Sequence, residues 1–254
     1  MNPSFDNEAQ TALAKVPAVT LGFWVIKILA TTFGETAGDT LSMSFDLGYL
    51  ISSMVFGLIL AALVAAQIRV AGFHPMLYWT TIIASTTAGT TLADFATRSL
   101  GIGYPGGSLL LLLSVIASLL WWQRRMGSIS VETVHEPQAE LHYWVTITLS
   151  QTLGTALGDW VADGSLGYLG AAVLFSAALA LVCAVWWRRL ITPVVAFWAA
   201  FVLTRPLGAV VGDFLDKPVA HGGLELSRAG ASLVLAVAIL ALILLVPQRA
   251  ARRG

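Results

Sequence analysis

The chain has 254 residues, of which 57% are hydrophobic and 11% are charged, and its formal net charge at pH 7 is zero. Soluble proteins are on average about one quarter charged, so this composition, with a mean hydropathy of +0.80, indicates a membrane protein. It excludes nucleic acid as the expected partner, because nucleic acid phosphates require a basic surface. With Cys183 as its one cysteine, the chain cannot form an intramolecular disulfide bond.

The hydrophobic pattern predicts an all-α membrane protein with eight transmembrane helices. Each apolar stretch has about 20 residues, the length of helix that crosses a hydrocarbon layer of about 30 Å. In chain order the predicted spans are 19–43, 47–68, 76–100, 104–123, 141–163, 167–187, 191–215 and 226–247. Residues 1–18 and 248–254 are predicted to be cytosolic tails.

An even number of spans places both ends of the chain on one side of the membrane. The basic residues predicted on that side are Lys15, Arg69, Arg124, Arg125, Arg188, Arg189, Arg249, Arg252 and Arg253. Those predicted on the opposite side are Arg98, Lys217 and Arg228. The positive-inside rule therefore predicts that both termini are cytosolic.

The odd-numbered spans carry one spaced motif: a tryptophan, nine residues, a glycine, three residues, a glycine or alanine, and an aspartate. The copies are Trp24/Gly34/Gly38/Asp39, Trp79/Gly89/Ala93/Asp94, Trp144/Gly154/Gly158/Asp159 and Trp198/Gly208/Gly212/Asp213. Small residues four apart let two helices approach closely, so the motif glycines are predicted to serve helix packing. With the span that follows it, each motif defines a helical hairpin, repeated four times.

A larger duplication is visible in the spacing of the motif tryptophans. Trp24 and Trp144 are 120 residues apart, and Trp79 and Trp198 are 119 apart, whereas neighbouring copies are separated by 55, 65 and 54 residues. This pattern predicts two four-helix halves, 19–125 and 141–247, joined by a cytosolic linker at 126–140. Because each half has an even number of spans, the halves are predicted to be parallel repeats.

Carboxylates in the first and third copies are the predicted metal ligands. An ionised carboxylate inside a membrane is costly, so four motif aspartates predict a shared polar interior with a function. Glu35 and Asp39 are four residues apart, as are Asp159 and Asp163, and residues at this separation share a helix face. Two neighbouring carboxylates are tolerated if a cation lies between them or if one is protonated.

The second and fourth copies pair an aspartate with a base instead. Asp94 is followed four residues later by Arg98, and Asp213 is followed by Lys217. Together with Arg205, these residues are predicted to form ion pairs that couple charge movement to conformation. An alternative, in which the aspartates form only structural salt bridges or helix caps, stays open at this point. Lys27 lies close enough to Trp24 for its amine to reach the cytosolic surface, and Asp216 is predicted to lie in an outer loop.

The chemistry of the motif level favours hard ions. Threonine hydroxyls accompany the carboxylates, whereas the four histidines lie outside the motifs, at His74, His135, His142 and His221. An all-oxygen site suits manganese, magnesium, calcium, sodium or a proton and argues against copper and zinc. The predicted ligand is therefore a bound divalent cation, Mn, Mg or Ca, with no covalent cofactor.

The segment Gly34-Glu35-Thr36-Ala37-Gly38-Asp39-Thr40 resembles the Glu-x-Gly-Asp-(Lys/Arg)-(Thr/Ser) signature of a family of manganese and calcium exporters with cation/proton exchange. In this chain two residues, instead of one, separate Glu35 from Gly38, and Thr40 replaces the basic residue. The chain as a whole is more similar to bacterial multi-span proteins described as uncharacterised membrane-anchored proteins, which share repeated Gly-x-x-x-Gly-Asp helices. That second resemblance implies a location in a bacterial inner membrane but no particular activity.

These observations predict a secondary transporter that exports a hard divalent cation, manganese-like, in exchange for protons. Its expected partners are the lipid bilayer, the cation and protons; a homo-oligomer stays open. One alternative is a membrane scaffold or sensor without transport. Another is an intramembrane aspartyl hydrolase, which uses a Gly-x-Gly-Asp helix. No copy contains that tight motif, since Thr36, Thr91, Ala156 and Val210 occupy the position of its first glycine, and we expect no enzyme activity.

Overall fold

The computed structural model describes residues 13–252, so residues 1–12 and 253–254 of the predicted tails lie outside the described part of the chain. Within it the fold is all-α apart from one short two-stranded ribbon. The α-helices are α1 Leu21–Asp39, α2 Gly48–Arg69, α3 Pro75–Asp94, α4 Gly103–Met126, α5 Pro137–Val161, α6 Gly167–Trp187, α7 Pro193–Asp216 and α8 Arg228–Leu245. These eight helices coincide with the eight predicted apolar stretches to within a few residues, once the turns that extend α1, α3 and α5 are included.

Those three helices end in a π-helical turn directly after the motif. The turns are Thr40–Ser44, Phe95–Ser99 and Ala162–Leu166. Each is followed by a glycine with positive φ that starts the next helix, namely Gly48, Gly103 and Gly167. A side chain at such a backbone angle is strained, which explains why glycine recurs there. The π-helical turns re-aim the chain at the level of the motif aspartates.

The four motif-bearing helices form a closed inner ring. Helix α1 packs on α3, α3 on α5, α5 on α7, and α7 returns to α1. Each outer helix covers the inner helix of the following hairpin: α2 packs on α3, α4 on α5, α6 on α7, and α8 on α1. The hairpins are therefore interlocked in one cyclic arrangement, which positions polar residues of the inner helices around a common axis.

The outside of this ring is apolar. Helices α2, α4, α6 and α8 leave many large hydrophobic side chains exposed, among them Leu58, Leu113, Leu181 and Leu244. Within residues 13–252, five helical segments are long and apolar enough to cross a membrane: α2, α4, the continuous run Pro137–Trp187, α7 and α8. A continuous exposed apolar surface of this kind fits contact with lipid.

Strands β1 Leu13–Pro17 and β2 Ala250–Arg252 pair antiparallel beside the linker. The Lys15 amide donates to the Val134 carbonyl at 2.8 Å, which ties β1 to the linker. The Lys15 ammonium lies 2.6 Å from Glu140 Oε1 and donates to the Gln67 and Ile68 carbonyls in the last turn of α2. This buried contact therefore holds the ribbon against α2 and α5.

We expect Glu140→Gln to lower the free energy of unfolding by about 1–3 kcal/mol, because it leaves the buried Lys15 ammonium with carbonyl partners and no counter-charge. Chemical unfolding in detergent micelles measures the effect. Glu132→Gln changes an exposed carboxylate of the same linker and should shift stability by less than about 0.5 kcal/mol. Equal stability of the two variants would contradict a structural role for the Lys15–Glu140 pair.

Candidate functional site

The motif glycines are the points at which the inner helices touch. A Cβ atom added at Gly34 would lie 2.3 Å from the side chain of Thr86, and one at Gly154 would lie 2.2 Å from that of Arg205. The remaining copies repeat the pattern: Gly89 faces Gln151 at 2.9 Å, and Gly208 faces Thr31 at 2.1 Å. Each motif glycine is thus in contact with the neighbouring inner helix. The contacting residue there lies three positions before that helix's own motif glycine.

The second small residue of the motif lies in the same interfaces. A Cβ atom at Gly38 would lie 3.0 Å from Thr90, one at Gly158 would lie 3.2 Å from Ala209, and one at Gly212 would lie 2.7 Å from Glu35. Real Cβ atoms essentially never approach another heavy atom to less than 3.0 Å. The glycines therefore bring the helices close enough for short polar side chains to meet inside the ring.

Arg205 joins all four inner helices at one level, which we call the arginine layer: Glu35, Thr90, Thr155 and Arg205. The guanidinium Nη2 donates to Glu35 Oε2 at 2.9 Å, to Thr90 Oγ1 at 2.6 Å and to Thr155 Oγ1. Arg205 is fully buried, and Glu35 is 3% exposed. Because its partners come from three different helices, the guanidinium lies on the axis of the ring.

One helical turn further along the helices, the motif aspartates form a second level, the aspartate layer: Asp39, Asp94, Asp159 and Asp213. All four are buried. Arg98 joins two of them, since its Nε lies 3.0 Å from Asp94 Oδ1 and its Nη2 lies 2.9 Å from Asp159 Oδ2. Lys217 joins the other two: its Nζ lies 2.6 Å from Asp39 Oδ2 and 2.9 Å from Asp213 Oδ1.

Two overlapping groups of carboxylate oxygens lie in and beside this layer. Oxygens of Glu35, Asp159 and Asp213 lie within 4.8 Å of one another, and so do oxygens of Asp39, Asp213 and Asp216. Each base contacts only part of these carboxylates. Asp39 Oδ1 and Asp159 Oδ1 are buried and have no hydrogen-bond partner among the described residues. The layer thus contains carboxylate oxygens that can accept a further ligand.

Comparison with known protein families finds four repeats in the chain, and each contains one copy of the motif. Residues 22–73, 77–128, 142–192 and 196–249 each match a family described as Repeat of Unknown Function (DUF347).

The chain belongs to the DUF347 repeat family.

Each DUF347 match contains one inner helix and the outer helix that follows it, so the predicted fourfold repeat of helical hairpins is confirmed. No curated protein and no solved structure matches the chain. Nothing in these comparisons connects this DUF347 protein with the manganese and calcium exporters, and that resemblance rests on residues 34–40 alone.

Three of the four predicted metal ligands of this DUF347 protein lie inside the ring, Glu35 and Asp159 in one carboxylate group and Asp39 in the other. Glu35, Asp39 and Asp159 are buried in the two layers. Asp163 lies in the π-helical turn after α5, where it is exposed and accepts a hydrogen bond from Tyr104 at 2.8 Å. It belongs to neither carboxylate group. Of the predicted ion-pair residues, Arg205 contacts Glu35, whereas the base beside Asp213 is Lys217.

Two expectations about single residues were wrong. Asp216 does not lie in an outer loop: it is the last residue of α7, it is 7% exposed, and its Oδ2 lies 3.1 Å from Arg228 Nε. Its position three residues after Asp213, on the same helix face, is the signal that could have placed it in the site. Lys27 does not reach the cytosolic surface: it is fully buried, with its Nζ 4.1 Å from the centre of the Phe201 ring.

Proposed function

We propose that this DUF347 protein crosses the membrane eight times, with both termini in the cytosol, and transports a small hard cation across it. A divalent ion such as manganese is the proposed cargo, and protons move in exchange. The observation that carries this proposal is the aspartate layer, in which buried carboxylates of all four repeats converge on one axis. Intramembrane carboxylates are costly, and ion pathways and proton relays are among the functions that retain them.

The spacing of the carboxylate oxygens supports a cation of this class. Manganese, magnesium and calcium bind oxygen ligands at about 2.0–2.6 Å, so two ligands of one ion are at most about 4–5 Å apart. Both carboxylate groups meet that limit, with oxygens within 4.8 Å of one another. The unpartnered oxygens of Asp39 and Asp159 add free ligand positions.

Lys217 supplies the proposed link between ion binding and conformation. Its ammonium lies among Asp39, Asp213 and Asp216, at 2.6, 2.9 and 3.9 Å from their oxygens. It thereby occupies the position that a metal ion would take, and buried carboxylates need one cation or the other. In the proposed cycle the incoming ion displaces the ammonium, and the end of α7, which carries Lys217, moves with it.

Arg205 is proposed to close the pathway on the side away from the aspartate layer. Its guanidinium fills the axis and bonds to three neighbouring helices. A carboxylate that accepts a proton loses part of its attraction for a guanidinium. Protonation of Glu35 would therefore loosen this contact and open the axis, which is the role proposed for the exchanged proton.

A second candidate function is a membrane scaffold or sensor without transport. It is favoured by the pairing of every motif aspartate with a base, Arg98 or Lys217. In that case the aspartate layer is a structural network that fixes the order of the helices, and the ring never opens.

Substitutions in the aspartate layer distinguish the two functions. We expect Asp39→Asn and Asp159→Asn each to weaken manganese binding by more than about tenfold, because a neutral amide cannot balance a buried cation. Asp163→Asn is the matched control: it changes an exposed carboxylate of the same helical run and should alter affinity by less than about twofold. Calorimetry with manganese, magnesium and calcium on purified protein measures the binding, and flux into proteoliposomes measures transport.

The transporter and the scaffold predict different results in these experiments. Asp94 belongs to neither carboxylate group, and Asp94→Asn leaves Arg98 paired with Asp159. This variant should therefore retain ion binding more fully than Asp159→Asn. If wild-type protein in proteoliposomes carries no hard cation under a pH gradient of either sign, the transporter proposal is wrong. Equal loss of folded protein in all the motif aspartate variants, with unchanged ion binding in what remains, would establish the scaffold.

A further inference from the structure

Four polar side chains, one from each inner helix, lie beneath the arginine layer, on its side away from the aspartates. We call them the donor layer: Lys27, Thr86, Gln151 and the Nε and Nη1 groups of Arg205, whose Nη2 belongs to the arginine layer. All four residues are fully buried. Thr86, Gln151 and Arg205 each lie three residues before the motif glycine of their helix. In α1 that position is Thr31, and Lys27 lies one helical turn before it. The donor layer therefore faces the same axis as the candidate cation site but at a different depth.

The donor layer holds an unusual number of unused polar atoms. Six have no hydrogen-bond partner among the described residues: Lys27 Nζ, Thr86 Oγ1, Gln151 Nε2, Gln151 Oε1, Arg205 Nε and Arg205 Nη1. A buried polar group without a partner destabilises the fold, and native structures contain few of them. Both amide atoms of Gln151 lack a partner, so its polar end is free to bind a further ligand.

Donors outnumber acceptors in this set. An ammonium, the Nε and Nη1 groups of arginine and a glutamine amide together present about eight N–H hydrogens. Against these stand two acceptor atoms, Gln151 Oε1 and Thr86 Oγ1. A partner rich in acceptors satisfies such a set best, and an anion has this property.

The charges agree with this reading. Arg205 is paired with Glu35 at 2.9 Å, whereas Lys27 has no carboxylate partner among the described residues. The Lys27 Nζ lies over the ring of Phe201, which is one helical turn before Arg205 on α7. The equivalent positions on the other inner helices are apolar: Ile82, Ile147 and Phe201. The contact of the Lys27 ammonium with the Phe201 ring is weaker than the desolvation penalty of a buried ion, so the ring alone does not balance the charge of Lys27.

We propose that the donor layer binds one compact monovalent anion, chloride or the carboxylate group of a small solute, between Lys27, Gln151 and Arg205. The anion accepts hydrogen bonds from the ammonium, the Gln151 amide and the free edge of the guanidinium, and it balances the charge of Lys27. The site is separate from the carboxylate groups of the aspartate layer in position and in ligand class. It does not depend on the proposed cation transport.

Equilibrium dialysis of the full-length protein in detergent, with labelled chloride, tests this site. Ionic strength is held constant with the bulky sulfonate isethionate. We expect saturable binding of one chloride per chain, and loss of that binding in Lys27→Met and in Gln151→Leu. Unlabelled formate is the second probe. Displacement of chloride by formate shows that both anions share the site, and binding of labelled formate without chloride binding identifies a carboxylate solute.

Two controls keep the result specific. Arg124→Gln removes an exposed cation at the end of α4 and should bind chloride as wild-type protein does. Asp159→Asn, in the proposed cation site, should also retain chloride binding, so a failed cation site leaves this test intact. Added chloride should raise the thermal unfolding temperature of wild-type protein and leave that of Lys27→Met unchanged.

Wild-type protein that binds neither chloride nor formate would overturn the proposal, and the donor layer would then hold only water. Undiminished chloride binding in both Lys27→Met and Gln151→Leu would also overturn it. Poor folding of one variant does not obscure the result, because wild-type stoichiometry and the other variant each give an independent answer.

Discussion

Arg205→Met is expected to lower the free energy of unfolding by about 3–5 kcal/mol, the usual cost of removing one partner of a buried ion pair. The substitution leaves Glu35, which is 3% exposed, as an unbalanced carboxylate inside the ring. It also removes the donor that Thr90 and Thr155 share. Chemical unfolding of the purified protein in mixed micelles, followed by tryptophan fluorescence, measures the loss.

A double variant shows whether the loss comes from the stranded carboxylate. Arg205→Met combined with Glu35→Leu replaces the ion pair by apolar side chains, and such replacements are often neutral or stabilising. We expect the double variant to regain most of the stability, to within about 2 kcal/mol of wild-type protein. Arg188→Met, at the exposed end of α6, should change stability by less than about 0.5 kcal/mol. A double variant no more stable than Arg205→Met would show that the loss does not come from Glu35.

The second large effect is expected at Gly208. The Cβ atom of Gly208→Ala would lie 2.1 Å from Thr31 Oγ1, 2.5 Å from Thr31 Cβ and 2.9 Å from the Thr31 carbonyl carbon. The backbone of α1 cannot yield as a flexible side chain can, so α7 and α1 must separate. We expect a loss of about 3 kcal/mol or more in the free energy of unfolding, at the upper end of the cost of overpacking.

Gly57→Ala is the matched control for this glycine. Gly57 lies in the middle of α2, and an added Cβ atom would meet nothing within 4 Å. Alanine is favoured over glycine inside a helix by about 1 kcal/mol, so this variant should be as stable as wild-type protein or more stable. The same unfolding measurement applied to both variants separates helix propensity from helix packing. A stable Gly208→Ala protein would contradict the close contact of α1 with α7.

The helices and the fourfold repeat could be predicted from the sequence. Apolar stretches of about 20 residues are local features, and so is the spacing that puts a glycine and an aspartate at the same register in every odd-numbered span. The burial of Glu35, Asp39 and Asp159 was also predictable, because a carboxylate inside an apolar segment has few stable alternatives to a polar interior. For Asp163 the sequence left open a place in the outer loop or within reach of the ion, and the π-helical turn that ends the run from α5 exposes it.

The partners of these residues required the tertiary structure. Arg205 and Glu35 are 170 residues apart, and each could have paired with several other groups as far as the sequence shows. The outer helix of each hairpin packs on the inner helix of the next, which no spacing indicates. Lys27 follows an interfacial tryptophan and was expected at the surface, but the ring closes over it.

The sequence by itself therefore determined which segments are helical, how often the hairpin repeats and which residue types occupy the motif level, because these depend on neighbours along one helix. The tertiary structure alone decided which carboxylate meets which base, and which polar atoms remain without a partner. Those outcomes depend on how four helices close into a ring. A small change in the rotation of one helix would exchange the partners while leaving every local pattern unchanged.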